Sequence, residues 1–170
     1  MAVRLPSALR RFEWWLVVLI VVLDQVTKAW VVRLLPLHEG ITVVPGLFDL
    51  THVRNTGAAF GMLNAIDFPY KSVVLTVVAL AALLAIGTYA TRFASESALA
   101  RAGVALVISG AVGNLIDRAR LGYVVDFVDV YWRGWHFWAF NVADAAITVG
   151  AIALALDILI SGRRHVPETV

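Results

Sequence analysis

Two aspartates, Asp126 and Asp144, stand eighteen positions apart and bracket an aromatic-rich stretch of a strongly apolar chain. The stretch runs from Tyr123-Val124-Val125-Asp126-Phe127 through Trp132, Trp135 and Trp138 to Phe140-Asn141-Val142-Ala143-Asp144. Carboxylates are costly near hydrocarbon and persist there chiefly where they are used. Two that converge on one spot suit acid–base chemistry on a water molecule, one ionised to take a proton and one protonated to give one.

Other polar residues fall at helical spacings. Asp24 and Lys28 are four apart on one face. They read either as an intrahelical ion pair that lowers the cost of burying both, or as a wall of a polar site, and the lysine stem also allows snorkelling to an interface. Asn114, Asp117 and Arg118 share a face at i, i+3 and i+4, preceded by Gly110 and Gly113, and Ser109 with Gly113 forms a small-xxx-small pair suited to close helix packing. A solvated charge pair at a helix end accounts for Asp117 and Arg118 but not readily for Asn114, so a site-building role is expected. Taken singly, Asp144 in a first helical turn is a favourable dipole interaction, and Asp126 an ordinary loop acid. Their coincidence at one membrane edge with Asn114, Asp117, Arg118 and Asn141 favours a site. Asp157 lies thirteen residues beyond Asp144, about 20 Å deeper along a helix and on a largely opposite face, and reads as structural. Asp129 is a possible decoy for Asp126.

Other hydrolytic chemistries fail on residue types. The chain has no cysteine and no His-Glu-x-x-His pattern. Its histidines, His38, His52, His136 and His165, are expected in loops and the tail, which leaves Ser109 without a base. Any hydrolysis should therefore run on carboxylates.

The elements that position these groups follow from composition. Of 170 residues, 61% are hydrophobic and 15% charged, against about 45–50% and about 25% in a soluble domain. The mean hydropathy is +0.83. This is a polytopic membrane protein. The net charge of +2 rests on few charges and implies no nucleic-acid partner. Four segments, about 14–35, 72–91, 102–119 and 140–160, approach the roughly 20 apolar residues that a span requires. The first follows Arg4, Arg10 and Arg11 as a signal peptide would, but no small-x-small cleavage site follows it, so an uncleaved span is expected. Cytoplasmic termini put seven cationic residues inside (Arg4, Arg10, Arg11, Arg92, Arg101, Arg163, Arg164) against six outside (Arg33, Arg54, Lys71, Arg118, Arg120, Arg133). The clusters flanking the first and last spans favour that orientation.

Two segments, about 36–71 and 120–139, then lie outside. In the first, Ile41–Val44, Pro45-Gly46 and Leu47–Val53 read as strand, turn and strand. An isolated hairpin is marginal in water, so it should rest on the membrane surface or over the helix ends. With no repeat or linker, residues 1–170 are expected to form a single integral membrane domain.

Five stretches in order carry a resemblance: Asp24-Gln25-Val26-Thr27-Lys28, Asn55-Thr56-Gly57-Ala58-Ala59-Phe60, Gly113-Asn114-Leu115-Ile116-Asp117-Arg118, Val125-Asp126-Phe127 and Phe140-Asn141-Val142-Ala143-Asp144. The chain resembles bacterial lipoprotein signal peptidase (signal peptidase II), a family of aspartic proteases of the inner membrane. The resemblance implies an all-α membrane protein, a four-transmembrane-helix bundle with both termini cytoplasmic. It adds a small extracytoplasmic β-hairpin or cradle and a short surface helix. It further implies removal of the signal peptide from diacylglyceryl-modified prolipoproteins before the lipidated cysteine, near the extracytoplasmic face. Asp126 and Asp144 match the catalytic dyad of the family. Asp24, Lys28, Asn55, Gly110, Asn114, Asp117, Arg118 and Asn141 match its substrate-binding and supporting positions. The expected partners are a lipid-modified prolipoprotein and membrane lipids; no metal or cofactor is expected, and the chain is expected to act as a monomer. A proton-relay transporter should instead spread acids through the membrane depth, often in repeated halves, and a noncatalytic scaffold would leave Asp24, Asn114 and Asp144 as unexplained cost.

Overall fold

The computed structural model describes residues 13–57, 68, 70–93 and 97–163. Its helices are α1 (Trp14–Leu34), α2 (Lys71–Phe93), α3 (Ala98–Leu121) and α4 (Val142–Arg163). Its strands are β1 (Gly40–Val44), β2 (Phe48–Asn55), β3 (Val124–Trp132) and β4 (Trp135–His136). Among the described residues, α1, α3 and Val142–Ile160 of α4 are long and apolar enough to cross a membrane, and Val73–Ala82 is a shorter apolar stretch within α2. The expected helices are all present, with ends displaced by a few residues from those read in sequence.

Helix α3 is the central element, packed against α1, α2 and α4. Ser97 caps its start, its hydroxyl accepting from the Ala100 N–H at 3.3 Å, and Gly122 ends it in the left-handed region at φ 81°. The α3–α4 crossing is made by small residues. A Cβ placed on Gly110 would stand 2.2 Å from the Ala143 carbonyl oxygen, and one on Gly150 would stand 2.7 Å from that of Gly103. Backbones this close leave no room for side chains, and such dispersion contacts hold helices together where lipid removes the hydrophobic drive. At the far end from the dyad, the Ser97 hydroxyl donates to Asp157, which ties α4 to the start of α3 and gives that acid the structural role expected of it.

The all-α description needs correction: a four-stranded antiparallel sheet, in the order β1-β2-β3-β4, sits beside the bundle. The β1–β2 hairpin falls where the turn residues placed it, but the aromatic segment read as a connection contains β3 and β4. The sheet also moves two histidines out of loops, His52 into β2 and His136 into β4. Val125 and Phe127 of β3 pack with Val31 and Leu35 at the end of α1, so the hairpin rests over a helix end and gains a third strand to stabilise it. His52, a buried residue of β2, has Nδ1 2.9 Å from the Leu35 carbonyl oxygen and seals the same helix end. Among the described residues no separate short helix stands outside the bundle, and Ala58, Ala59 and Phe60 of the second motif lie outside them.

Candidate active site

Asp126 lies on β3 and Asp144 in the first turn of α4; two local features bring them together. Phe127 and Val128 donate their backbone N–H groups to the Phe140 carbonyl at 3.0 and 2.8 Å, so the chain entering α4 docks on β3 just past Asp126. Asn141, which follows Phe140, then starts the helix in a reciprocal cap. Its side-chain oxygen accepts from the Asp144 N–H at 2.9 Å, and its own N–H donates to Asp144 Oδ2 at 3.3 Å. This is the capping-box arrangement with aspartate in the usual place of glutamate.

The Asn141 amide also reaches the other acid, donating to Asp126 Oδ1 at 2.7 Å. Asp126 Oδ2 accepts from Asn55 Nδ2 at 2.9 Å. In the β2–β3 register Val53 opposes Asp126, so Asn55 is its diagonal neighbour on the same face. Asn114 of α3 donates to Asp144 Oδ1 at 2.8 Å. Asp126 is 2% exposed and Asn141 wholly buried. Burial, and then the neighbouring Asp144 carboxylate, push the Asp126 carboxyl up from an ordinary 3.8 to about 7 against the pull of the Asn55 and Asn141 hydrogen bonds.

A second tier of polar groups lies under these acids. Lys28 Nζ is 2.9 Å from both Asp24 Oδ2 and Asp117 Oδ2, and donates to Asn114 Oδ1 at 3.0 Å. Its three protons thus meet three acceptors, and at 3% exposure it does not snorkel. The intrahelical pair and the polar-site wall are therefore one structure. Asp117 is equally buried and pairs with Lys28 of α1, which excludes the alternative of a solvated charge pair with Arg118. Arg118 instead donates to the Gly57 carbonyl at 3.1 Å, fixing the backbone just past Asn55.

Eight of the ten expected site residues (Asp24, Lys28, Asn55, Asn114, Asp117, Asp126, Asn141 and Asp144) share this one hydrogen-bonded network. The other two are different. Gly110 is a packing residue of the helix crossing, and Arg118 bonds to the chain beside the network. Asp129 is not in the site, since its carboxylate faces His136 Nδ1 at 2.9 Å on the other edge of the sheet. Gln25 was missed: its amide donates to both Asp24 and Asp117. Its place beside Asp24 in the first motif was the only available signal.

Residues 16–160 match the family described as Signal peptidase (SPase) II. The chain is 49% identical to the lipoprotein signal peptidase of Geobacter metallireducens over 144 residues, 85% of this chain and 88% of the relative. It is 43% identical to that of Pseudomonas aeruginosa over 149 residues, 86% of this chain and 88% of the relative. Its fold superposes with a TM-score of 0.81 on a bacterial membrane enzyme solved by the in meso method at 2.3 Å resolution, at 29% identity and covering 92% of each chain. The chain belongs to the signal peptidase II family.

Proposed function

We propose that this chain is an aspartic-type membrane endopeptidase that removes the signal peptide from diacylglyceryl-modified prolipoproteins, cleaving before the lipidated cysteine, with Asp126 and Asp144 as its catalytic pair. The observation that carries the assignment is the joining of two carboxylates from different elements by one buried residue, Asn141. The four helices would all span the inner membrane with both termini cytoplasmic and the site near the extracytoplasmic face. The chain would work as a monomer, with no nucleic acid involved.

The chemistry follows from the pair. Two close carboxylates resist double ionisation and share one proton, and the raised Asp126 carboxyl fits that state. The ionised carboxylate takes a proton from water as the water oxygen attacks the scissile carbonyl carbon. The protonated carboxyl donates to the developing oxyanion. As the tetrahedral intermediate collapses, the C–N bond breaks and a carboxyl proton passes to the leaving amine. The signal peptide leaves with a carboxylate end and the lipidated cysteine with a free amino group. Asn55, Asn114 and Asn141 hold the acids, while Arg118 holds Gly57 and, with it, the backbone that would line the substrate. The apolar helix faces accommodate the signal helix and lipid chains.

The test is cleavage of a lipid-modified prolipoprotein by the purified protein in lipid. Wild type should release signal peptide, and Asp126→Asn and Asp144→Asn should each lose activity by at least about 10³-fold, as removal of an essential proton-transfer group does. Full cleavage by either variant would sink the dyad.

A further inference from the structure

The residue before each of the two site aspartates is held by a buried carboxylate. Asp24 Oδ1 accepts from the Ala143 N–H at 2.9 Å, one residue before Asp144. Asp117 Oδ2 accepts from the Val125 N–H at 3.1 Å, one residue before Asp126. These two carboxylates are themselves tied together twice. Lys28 bridges them at 2.9 Å to each, and Gln25 Nε2 bridges them at 3.1 Å to Asp24 Oδ2 and 3.0 Å to Asp117 Oδ1. Gln25 Nε2 also lies 3.2 Å from the Gly113 carbonyl oxygen, so every polar atom around it is an acceptor and only its amide nitrogen can face them. A Cβ on Gly113 would come within 2.6 Å of Asp24 Oδ2, which shows how tightly α1 and α3 are drawn together here.

We infer that Asp24, Lys28, Asp117 and Gln25 form a brace that sets the separation of Asp126 from Asp144, and that Gln25 is a positioning residue for the reaction. The inference rests on the dyad assignment proposed above. The brace acts through backbone, not through the acids' own side chains. Asp24 fixes the start of α4, Asp117 fixes the start of β3, and the two cross-links fix Asp24 against Asp117. Lys28 supplies the positive charge that two buried carboxylates need. Gln25 supplies the second tie without adding a further charge to the cluster. A dyad that shares a proton depends on its spacing. If the acids drift apart, their mutual repulsion weakens, both ionise more easily, and neither remains the donor.

Gln25→Met keeps side-chain length and removes the donor. In the full-length protein in lipid, cleavage of a lipid-modified prolipoprotein should show kcat about 10–100-fold lower, since small misplacements of reacting groups cost on that order, with KM within about twofold. The alkaline limb of the kcat profile should move to lower pH. Asp144 from α4, Lys28 from α1 and Arg118 from α3 bear electrostatically on Asp126, and all remain in this variant, so such a movement reports spacing. A fall in folded protein alone would scale the rate without moving the limb. Gln25→Glu is the second variant: as an anion between two carboxylates it should be impaired most at high pH, with its activity relative to wild type recovering as pH falls. Wild-type kcat and pH profile in Gln25→Met would overturn the brace, as would a loss that follows the folded fraction. If Gln25→Met does not fold, a pH-independent ratio for Gln25→Glu would do the same. Cleavage by wild type and its loss in Asp126→Asn separate failure of the brace from failure of the dyad.

Discussion

The side-chain amide of Asn141 donates to Asp126 Oδ1 across 2.7 Å, from the residue that begins the helix carrying the other acid. Replacing it with alanine removes that bond and the cap at once. Loss of a cap is worth about 1 kcal/mol of stability. The activity loss should be larger, on the order of 10²-fold or more, because both carboxylates lose their orientation. Comparing the unfolding temperature with the cleavage rate of Asn141→Ala separates the two effects; an activity loss no greater than the stability loss predicts would remove Asn141 from the site.

The raised Asp126 carboxyl links folding to pH. Its value in the fold, about 7, exceeds the ordinary 3.8, so the folded state holds this proton more tightly than the unfolded chain. The favourable contribution is fully present below about pH 4 and is lost as pH rises through about 7. Relative to Asp126→Asn, which has no proton to lose, wild type should lose stability across that window. The loss should reach a few kcal/mol, since each tenfold gain in proton affinity is worth about 1.4 kcal/mol. Thermal unfolding of both proteins in detergent from pH 4 to 8 reads the difference directly, and parallel curves would contradict it.

Lys28→Met leaves Asp24 and Asp117 buried without their cation. Breaking one side of a buried ionic cluster costs about 3–5 kcal/mol. Adding Asp117→Asn should recover part of that stability, since one uncompensated charge disappears, yet should not restore cleavage. The unfolding temperatures of the single and double variants, with cleavage measured on both, check the pattern.

Glycine substitutions should rank by what their new methyl meets. Gly110→Ala meets a carbonyl oxygen at 2.2 Å and forces α4 outward, whereas Gly103→Ala meets its nearest atoms at 3.0 Å. Overpacking of this kind costs about 1–3 kcal/mol, with Gly110→Ala at the upper end and also impairing cleavage, because Ala143 adjoins Asp144. Equal unfolding temperatures for the two variants would refute the ranking.

Asp129→Asn should leave the cleavage rate within about twofold, as expected of a partly buried acid outside the network whose loss removes only its pair with the exposed His136, worth about 0–1 kcal/mol. A deep loss of activity would mean that the wrong acid of β3 has been placed in the site.

The helices, the hairpin and the set of polar positions were legible in the sequence because they rest on local spacing. Apolar length gave the spans, Pro45-Gly46 gave the turn, and the ordered motifs gave the acids. The sequence did not yield β3. Its run Val124–Trp132 is rich in β-branched and aromatic residues, and Arg133-Gly134 supplies a turn, but Val124–Phe127 are buried on both faces and Val128–Tyr131 half-buried, so no alternation marked it as a strand. Partnerships were harder still. Asp117 stands beside Arg118 in the chain and pairs with Lys28, and Gln25 points to a carboxylate that is 92 residues away. Such choices are decided by which helices pack, and no local rule contains that.

Asn141, which gathers the acids, also begins α4, whose apolar stretch of 19 residues rises about 28 Å, close to the thickness of a hydrocarbon core. With α4 spanning the membrane as proposed, the depth of Asp126 and Asp144 would be set by the bilayer itself. A thicker or thinner membrane would then raise or lower these acids against the lipid headgroups, and under the proposed function bilayer thickness would become a gauge of which peptide bond is offered to water.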